Sequence, residues 1–215
     1  MNRVLSGWSR WEFTLLRTYI KWLTGLMVLH ILMGQGWLKV DPALVLMANA
    51  ILAAITANQL LVAVQERDQV LITPISRRDF LRQRYVTVLM IHIVTLFVSG
   101  ILFQLSSLPW PVDPLKLWLW ALIAQLFALI YCWLALPIIW RFPGKRILPI
   151  AFSLIPAGTL GKLYAQSQMA TGSLFAEVTQ SYLLTRLLPI ALLASVISFI
   201  ISYHVAQGFF RKQDI

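Results

Sequence analysis

Charge is scarce in this chain. Only 12% of its 215 residues are Asp, Glu, Lys or Arg, about half the share of an average soluble domain. Hydrophobic residues make up 59%. A soluble fold of this length lacks the polar side chains to cover its surface, so much of the apolar material has to face lipid. Cysteine is nearly absent. Cys132 stands alone inside an apolar run, which excludes a disulfide framework and a cysteine-based metal site. All eight acidic residues, Glu12, Asp41, Glu66, Asp68, Asp79, Asp113, Glu177 and Asp214, fall outside the long apolar runs. Carboxylates inside a membrane mark proton relays and ion pathways, so their absence argues against a proton- or sodium-coupled carrier.

Catalytic motifs are missing too. The chain has no G-x-x-x-x-G-K-[ST] phosphate loop. The nearest match, Gly158-Thr159-Leu160-Gly161-Lys162, has the wrong spacing and lies in an apolar run. By that route the chain does not bind ATP, and no enzymatic activity of its own is expected. No serine sits in a G-x-S-x-G context. His30, His92 and His204 lie one each in three apolar runs without a carboxylate beside them. They are expected to bond between helices rather than to hold a metal. Asn49, Asn58, Gln59 and Gln125 are expected in the same role, with a substrate path as the alternative.

What remains is an all-α polytopic membrane protein. A spanning helix needs about 20 mostly apolar residues, and six segments qualify: 19–37, 43–64, 85–106, 115–140, 147–165 and 187–207. They form a single transmembrane domain over 1–215. The fifth contains Pro149, Pro156, Gly158 and Gly161, and non-helical backbone is expected within 155–162. Residues 1–18 place Val4, Leu5, Trp8, Trp11, Leu15 and Leu16 along one helical face, which reads as an amphipathic interfacial helix. In the loop 166–186, Leu174, Val178 and Tyr182 recur at helical spacing and suggest a short external helix. In the second segment Ala50, Ala54 and Ala57 share a face, with Ala53 nearby. Small residues let helices approach closely, so this face is expected against another helix, with a second subunit as one candidate.

The net charge of +10 sets orientation rather than indicating nucleic acid. Arg3, Arg10, Arg17, Lys21, Arg67, Arg77, Arg78, Arg82, Arg84, Arg141, Lys145, Arg146, Arg211 and Lys212 fall on one side of the six-span arrangement. Lys39, Lys116, Lys162 and Arg186 fall on the other. The positive-inside rule makes the first side cytoplasmic, with both termini.

The loop between the second and third segments is the most informative. Pro74 ends what precedes it. Ser76 and Asp79 fit a capping box, and a short cytoplasmic helix is expected from Arg77 to about Arg84. It carries Arg78, Arg82 and Arg84 and an apolar knob at Phe80 and Leu81. Two uses are open for it: docking into a partner's groove, or anchoring at anionic lipid.

Glu66, Leu71, Pro74, Ser76-Arg77 and Arg84-Tyr85 together resemble the loop of the permease subunits of ABC-2 type ATP-binding-cassette transporters. Where members often carry a glycine after the glutamate, this chain has Arg67-Asp68-Gln69. The resemblance implies a permease in the cytoplasmic membrane of a bacterium. It would be paired with a second copy or a paralogue and energised by a separate ATPase subunit. That ATPase would bind the ATP and Mg, since this chain binds no cofactor. The Ser76–Arg84 helix would transmit ATPase closure, and the cargo would be an exported or flipped amphiphile such as a peptide, lipid, glycan or drug. The competing expectation is a non-transporting membrane protein, such as an immunity or assembly factor.

Overall fold

The computed structural model describes residues 42–65, 77–105, 113–141 and 178–212; all but 113, 178 and 179 are helical, with no strand among them. Four rods result. The first, α1, is Pro42–Gln65, α2 is Arg77–Leu105 and α3 is Pro114–Arg141. The fourth, α4, covers 180–212 and opens as one turn, Gln180–Tyr182. It widens into a π-helical segment, Leu183–Leu187, and continues as Leu188–Lys212. The interfacial helix 1–18, the first and fifth segments and the stretch 155–162 lie outside the described residues.

Local chemistry sets the helix starts. Proline is first in α1 and in α3, where its fixed φ suits a helix and its missing N–H costs nothing. Asp113 caps α3 by accepting a 3.0 Å hydrogen bond from Leu115 N. Thr179 caps α4 by accepting from Tyr182 N at 3.3 Å. Pro189 explains the π segment. Its ring crowds the carbonyl four residues back, and the chain responds by widening, so that Leu188 N bonds to Leu183 O. Residues 180–186 therefore belong to the last helix and not to a separate external one.

Among the described residues, three helices are long and apolar enough to cross a membrane: Arg84–Leu102 within α2, Pro114–Ile139 within α3 and Gln180–Phe209 within α4. In α1 the apolar stretch is shorter, Val45–Asn58. Packing ranks them. The span of α3 is 67% buried against 11% for α4, so α3 is the central rod, touching α1, α2 and α4. The face of α4 carrying Ile190, Leu193, Val196, Ile197 and Ile201 is exposed. In a bilayer this apolar face meets acyl chains at no cost.

The helix polarity sorts the cations. Tyr85 near the start of α2 meets Trp133 near the end of α3 and Tyr203 near the end of α4. At the opposite end Leu46 of α1, Leu117 of α3 and Leu183 of α4 share one apolar cluster. The helix ends bearing Arg77, Arg78, Arg82, Arg84, Arg141, Arg211 and Lys212 thus lie together, and those bearing Lys116 and Arg186 lie at the other pole.

Candidate functional site

The basic segment that the sequence singles out is the beginning of α2. The expected short helix from Arg77 to Arg84 does not stand apart from the third span: one unbroken helix runs from Arg77 to Leu105. Residues 77–85 contain neither Pro nor Gly, and Arg, Leu and Gln are good helix formers, so nothing stops the rod at the membrane surface. Glu66, Pro74 and Ser76 lie outside the described residues, as do the side chains of Arg77, Arg78, Asp79 and Phe80.

Arg82 and Arg84 have different fates. Leu81, Arg84, Tyr85 and Val88 fall at i, i+3, i+4 and i+7, one face of a helix, and all four are buried. Arg84 is 2% exposed. It belongs to the inside of the bundle and is not presented to a partner. Arg82 is exposed and begins a second face with Tyr85, Val86 and Leu89. This face meets Leu126, Leu129 and Trp133 of α3 and Ser195, Val196, Phe199 and Tyr203 of α4 around a cleft of about 850 Å³. Its floor is aromatic. Tyr85 stacks on Trp133 with centroids 5.3 Å apart and meets Phe199 and Tyr203 edge-on at 5.5 and 5.4 Å. Such offset and edge-on pairs follow the ring quadrupole.

Beneath the rings lies a polar relay that the sequence reading missed. Pro137 sits inside α3, and a proline there has no N–H to give to the carbonyl four residues back, Trp133 O. The hydroxyl of Ser202 on α4 donates to that carbonyl instead. Its one proton is thereby spent, so Tyr85 O–H of α2 donates to Ser202 Oγ, at 2.6 Å. Three helices are tied through one freed carbonyl. The signal was in the sequence as a proline inside an apolar run.

A second relay joins the bundle nearer its middle. His92 Nδ1 lies 2.6 Å from Gln125 Oε1, and Nε2 lies 3.5 Å from Cys132 Sγ. With the amide oxygen as acceptor, Nδ1 carries the proton and Nε2 accepts. Cys132 Sγ is also 3.8 Å from Ala54 O of α1. His92 thus bonds between helices, as expected. His204 is exposed and touches the ring of Tyr203; His30 lies outside the described residues. Asn49 donates to Ser99 Oγ at 3.4 Å. The Asn58 amide is buried with neither polar atom hydrogen-bonded.

Ala50, Ala54 and Ala57 are each 1% exposed and share one core cluster with Val88 and Ile91 of α2 and Ala124 and Ala128 of α3. The alanine face does pack against another helix, but inside this chain. A second subunit has no access to it. Small residues on both α1 and α3 bring the two backbones together, which is why a cysteine of one reaches a carbonyl of the other. A comparable fit occurs at the opposite end of α2: a Cβ added at Gly100 would fall 2.3 to 2.7 Å from three ring atoms of Trp118.

Neither a curated protein nor a solved structure matches this chain. A family model described as ABC-2 family transporter protein matches residues 12–211, a range that takes in all four helices almost to the end of α4. The chain therefore belongs to the ABC-2 family of transporter proteins and is a membrane component of that transport machinery.

Proposed function

We propose that this chain is the membrane-spanning subunit of an ATP-driven transporter that exports or flips an amphiphile. A separate ATPase would bind ATP and Mg, and a second permease subunit would complete the pathway. The family match over residues 12–211 carries the reading. The segregation of cations to one pole supports placing that pole, with both termini, in the cytoplasm. Six spans are part of the proposal, two of them in residues outside the described ones.

Coupling is assigned to the loop from Glu66 to Ser76 and the first turns of α2. Arg77 and Arg78 would meet acidic groups of the ATPase, and Phe80 would fill an apolar pocket. Asp79 completes the capping box with Ser76. The continuity of α2 favours this assignment, because movement imposed at Arg77 travels into the bilayer without an intervening hinge.

Co-purification from native membranes in mild detergent, followed by ATPase and transport assays in proteoliposomes, tests the proposal. Truncating a central anchor costs about 2 kcal/mol or more, about thirtyfold in Kd. Phe80→Ala is therefore expected to lose the ATPase, or to retain it with a rate that ignores cargo. If Phe80→Ala, Arg77→Ala and Arg78→Ala combined leave binding and transport intact, the coupling assignment is wrong.

A further inference from the structure

We propose that the cleft between α2, α3 and α4 binds one phospholipid with an anionic headgroup, its phosphate on Arg82 and an acyl chain along the aromatic floor. This goes beyond the transporter reading and needs only that the chain sits in a bilayer.

The lining is chemically graded. Arg82 is the one charged residue among those lining the cleft, and it stands at the basic pole. Tyr85, Trp133 and Tyr203 come next, aromatic rings of the kind enriched at headgroup level. Val86, Leu89, Leu126, Leu129 and Val196 follow. Leu89 lies seven residues beyond Arg82, about 10 Å further along the helix axis. A cation, an interfacial aromatic layer and an apolar trough are thus stacked along one groove, in the order of a phospholipid's own parts. The walls are open to the bilayer, with Val86, Leu89 and Val196 each more than 40% exposed. The size falls within the roughly 300–1,000 Å³ of small-molecule sites.

Charge favours an anionic occupant: among the described residues, no acidic side chain lines the cleft beside Arg82. Of the two acidic residues in the described helices and their caps, Asp79 is on α2 itself and Asp113 is at the opposite pole. Residues 142–176 of this chain contain no Asp or Glu. An anionic lipid supplies a charge of opposite sign, and a basic residue near an anionic surface gains about 1 kcal/mol.

Tryptophan fluorescence provides the test, because Trp133 lines the cleft. The full chain is reconstituted in phosphatidylcholine vesicles and titrated with chain-brominated phosphatidylglycerol or chain-brominated phosphatidylcholine. Quenching lost in Trp133→Phe reports the cleft. The expected result is Trp133-dependent quenching with about fivefold preference for phosphatidylglycerol, the factor equivalent to 1 kcal/mol. Arg82→Gln should abolish the preference and Arg82→Lys should keep it. Arg82 is exposed, so both variants fold, and their comparison with the parent stands even where Trp133→Phe does not. Equal quenching by the two lipids, or a preference surviving Arg82→Gln, overturns the proposal. So does the absence of Trp133-dependent quenching, which would mean that protein fills the cleft, either residues outside the described ones or a second copy.

Discussion

Ser202→Ala removes one oxygen and disconnects three helices. In the folded protein that hydroxyl gives its proton to Trp133 O and receives one from Tyr85. The substitution removes the partner that the Trp133 carbonyl and the Tyr85 phenol each have among the described residues. Interhelical hydrogen bonds in membranes average only about 0.6 kcal/mol and reach about 1.7. Leaving a buried group unsatisfied costs about 1–3 kcal/mol. With two groups orphaned at once, Ser202→Ala should fall at the upper end, about 1.5–2 kcal/mol. Pro137 supplies the control. Pro137→Ala restores an N–H four residues from Trp133 O, so the carbonyl is bonded within α3 and Ser202 loses half its task. In that background Ser202→Ala should cost only about 0.6 kcal/mol, the average for a single such bond. Reversible unfolding in mixed micelles, followed by far-UV circular dichroism, measures all four corners of the cycle. Independent sites add within about 0.3–0.5 kcal/mol. If the cost of Ser202→Ala is the same in both backgrounds within that margin, Pro137 does not create the acceptor.

Gly100→Ala should destabilise the protein despite alanine's helix propensity, worth about 1 kcal/mol. Overpacking against Trp118 costs about 1–3 kcal/mol, and Trp118→Leu should reverse the sign; the same unfolding assay decides it. Ala54→Trp should prevent folding of the monomer, since the alanine face is covered within the chain; a well-folded variant that merely fails to associate would show the face to be a subunit contact. Gln125→Leu strands His92 Nδ1 and should cost about 1–3 kcal/mol, with Gln125→Glu milder, as thermal unfolding in detergent can show. Single cysteines at Arg77 and Lys145 in a Cys132→Ser background should resist impermeant thiol reagents in intact cells, and labelling at Arg77 from outside would invert the topology.

The four described helices were legible because a membrane leaves the sequence little choice. An apolar run of spanning length can only be a helix, and Pro42, Pro114 and Asp113 announce their own starts. The lateral packing was less legible. The apolar faces of α4 and α3 look alike in composition, yet one faces outward and the other is the centre of the bundle, because lipid and protein accept the same side chains. Arg84 was misleading for a related reason. Its charge suggested a surface, but its position three residues after Leu81 and four before Val88 places it on the buried face. Helical phase outweighed charge. The short coupling helix was drawn as a separate element because the polarity changes at Tyr85, and polarity is not a helix terminator. The relay through Ser202 depends on two residues 65 positions apart, Pro137 and Ser202, and no local pattern links them. His92 and Gln125 were both recognised as interhelical groups, but only the packing pairs them.

The uninterrupted α2 also has the proportions of a lever. Its fulcrum would be the tight seat of Gly100 against Trp118, and its long arm, packed through Leu81, Arg84 and Tyr85, ends at Arg77. The arm spans 23 residues, about 35 Å at 1.5 Å each. A tilt of about 10° around the seat would swing Arg77 by about 6 Å and shear the Tyr85–Ser202 link, which lies two turns along the same arm. The outer end would hardly move. A small rotation near the membrane's far surface and a large stroke at its near surface would then be the same motion, with the cleft between α2, α3 and α4 opening or closing between them.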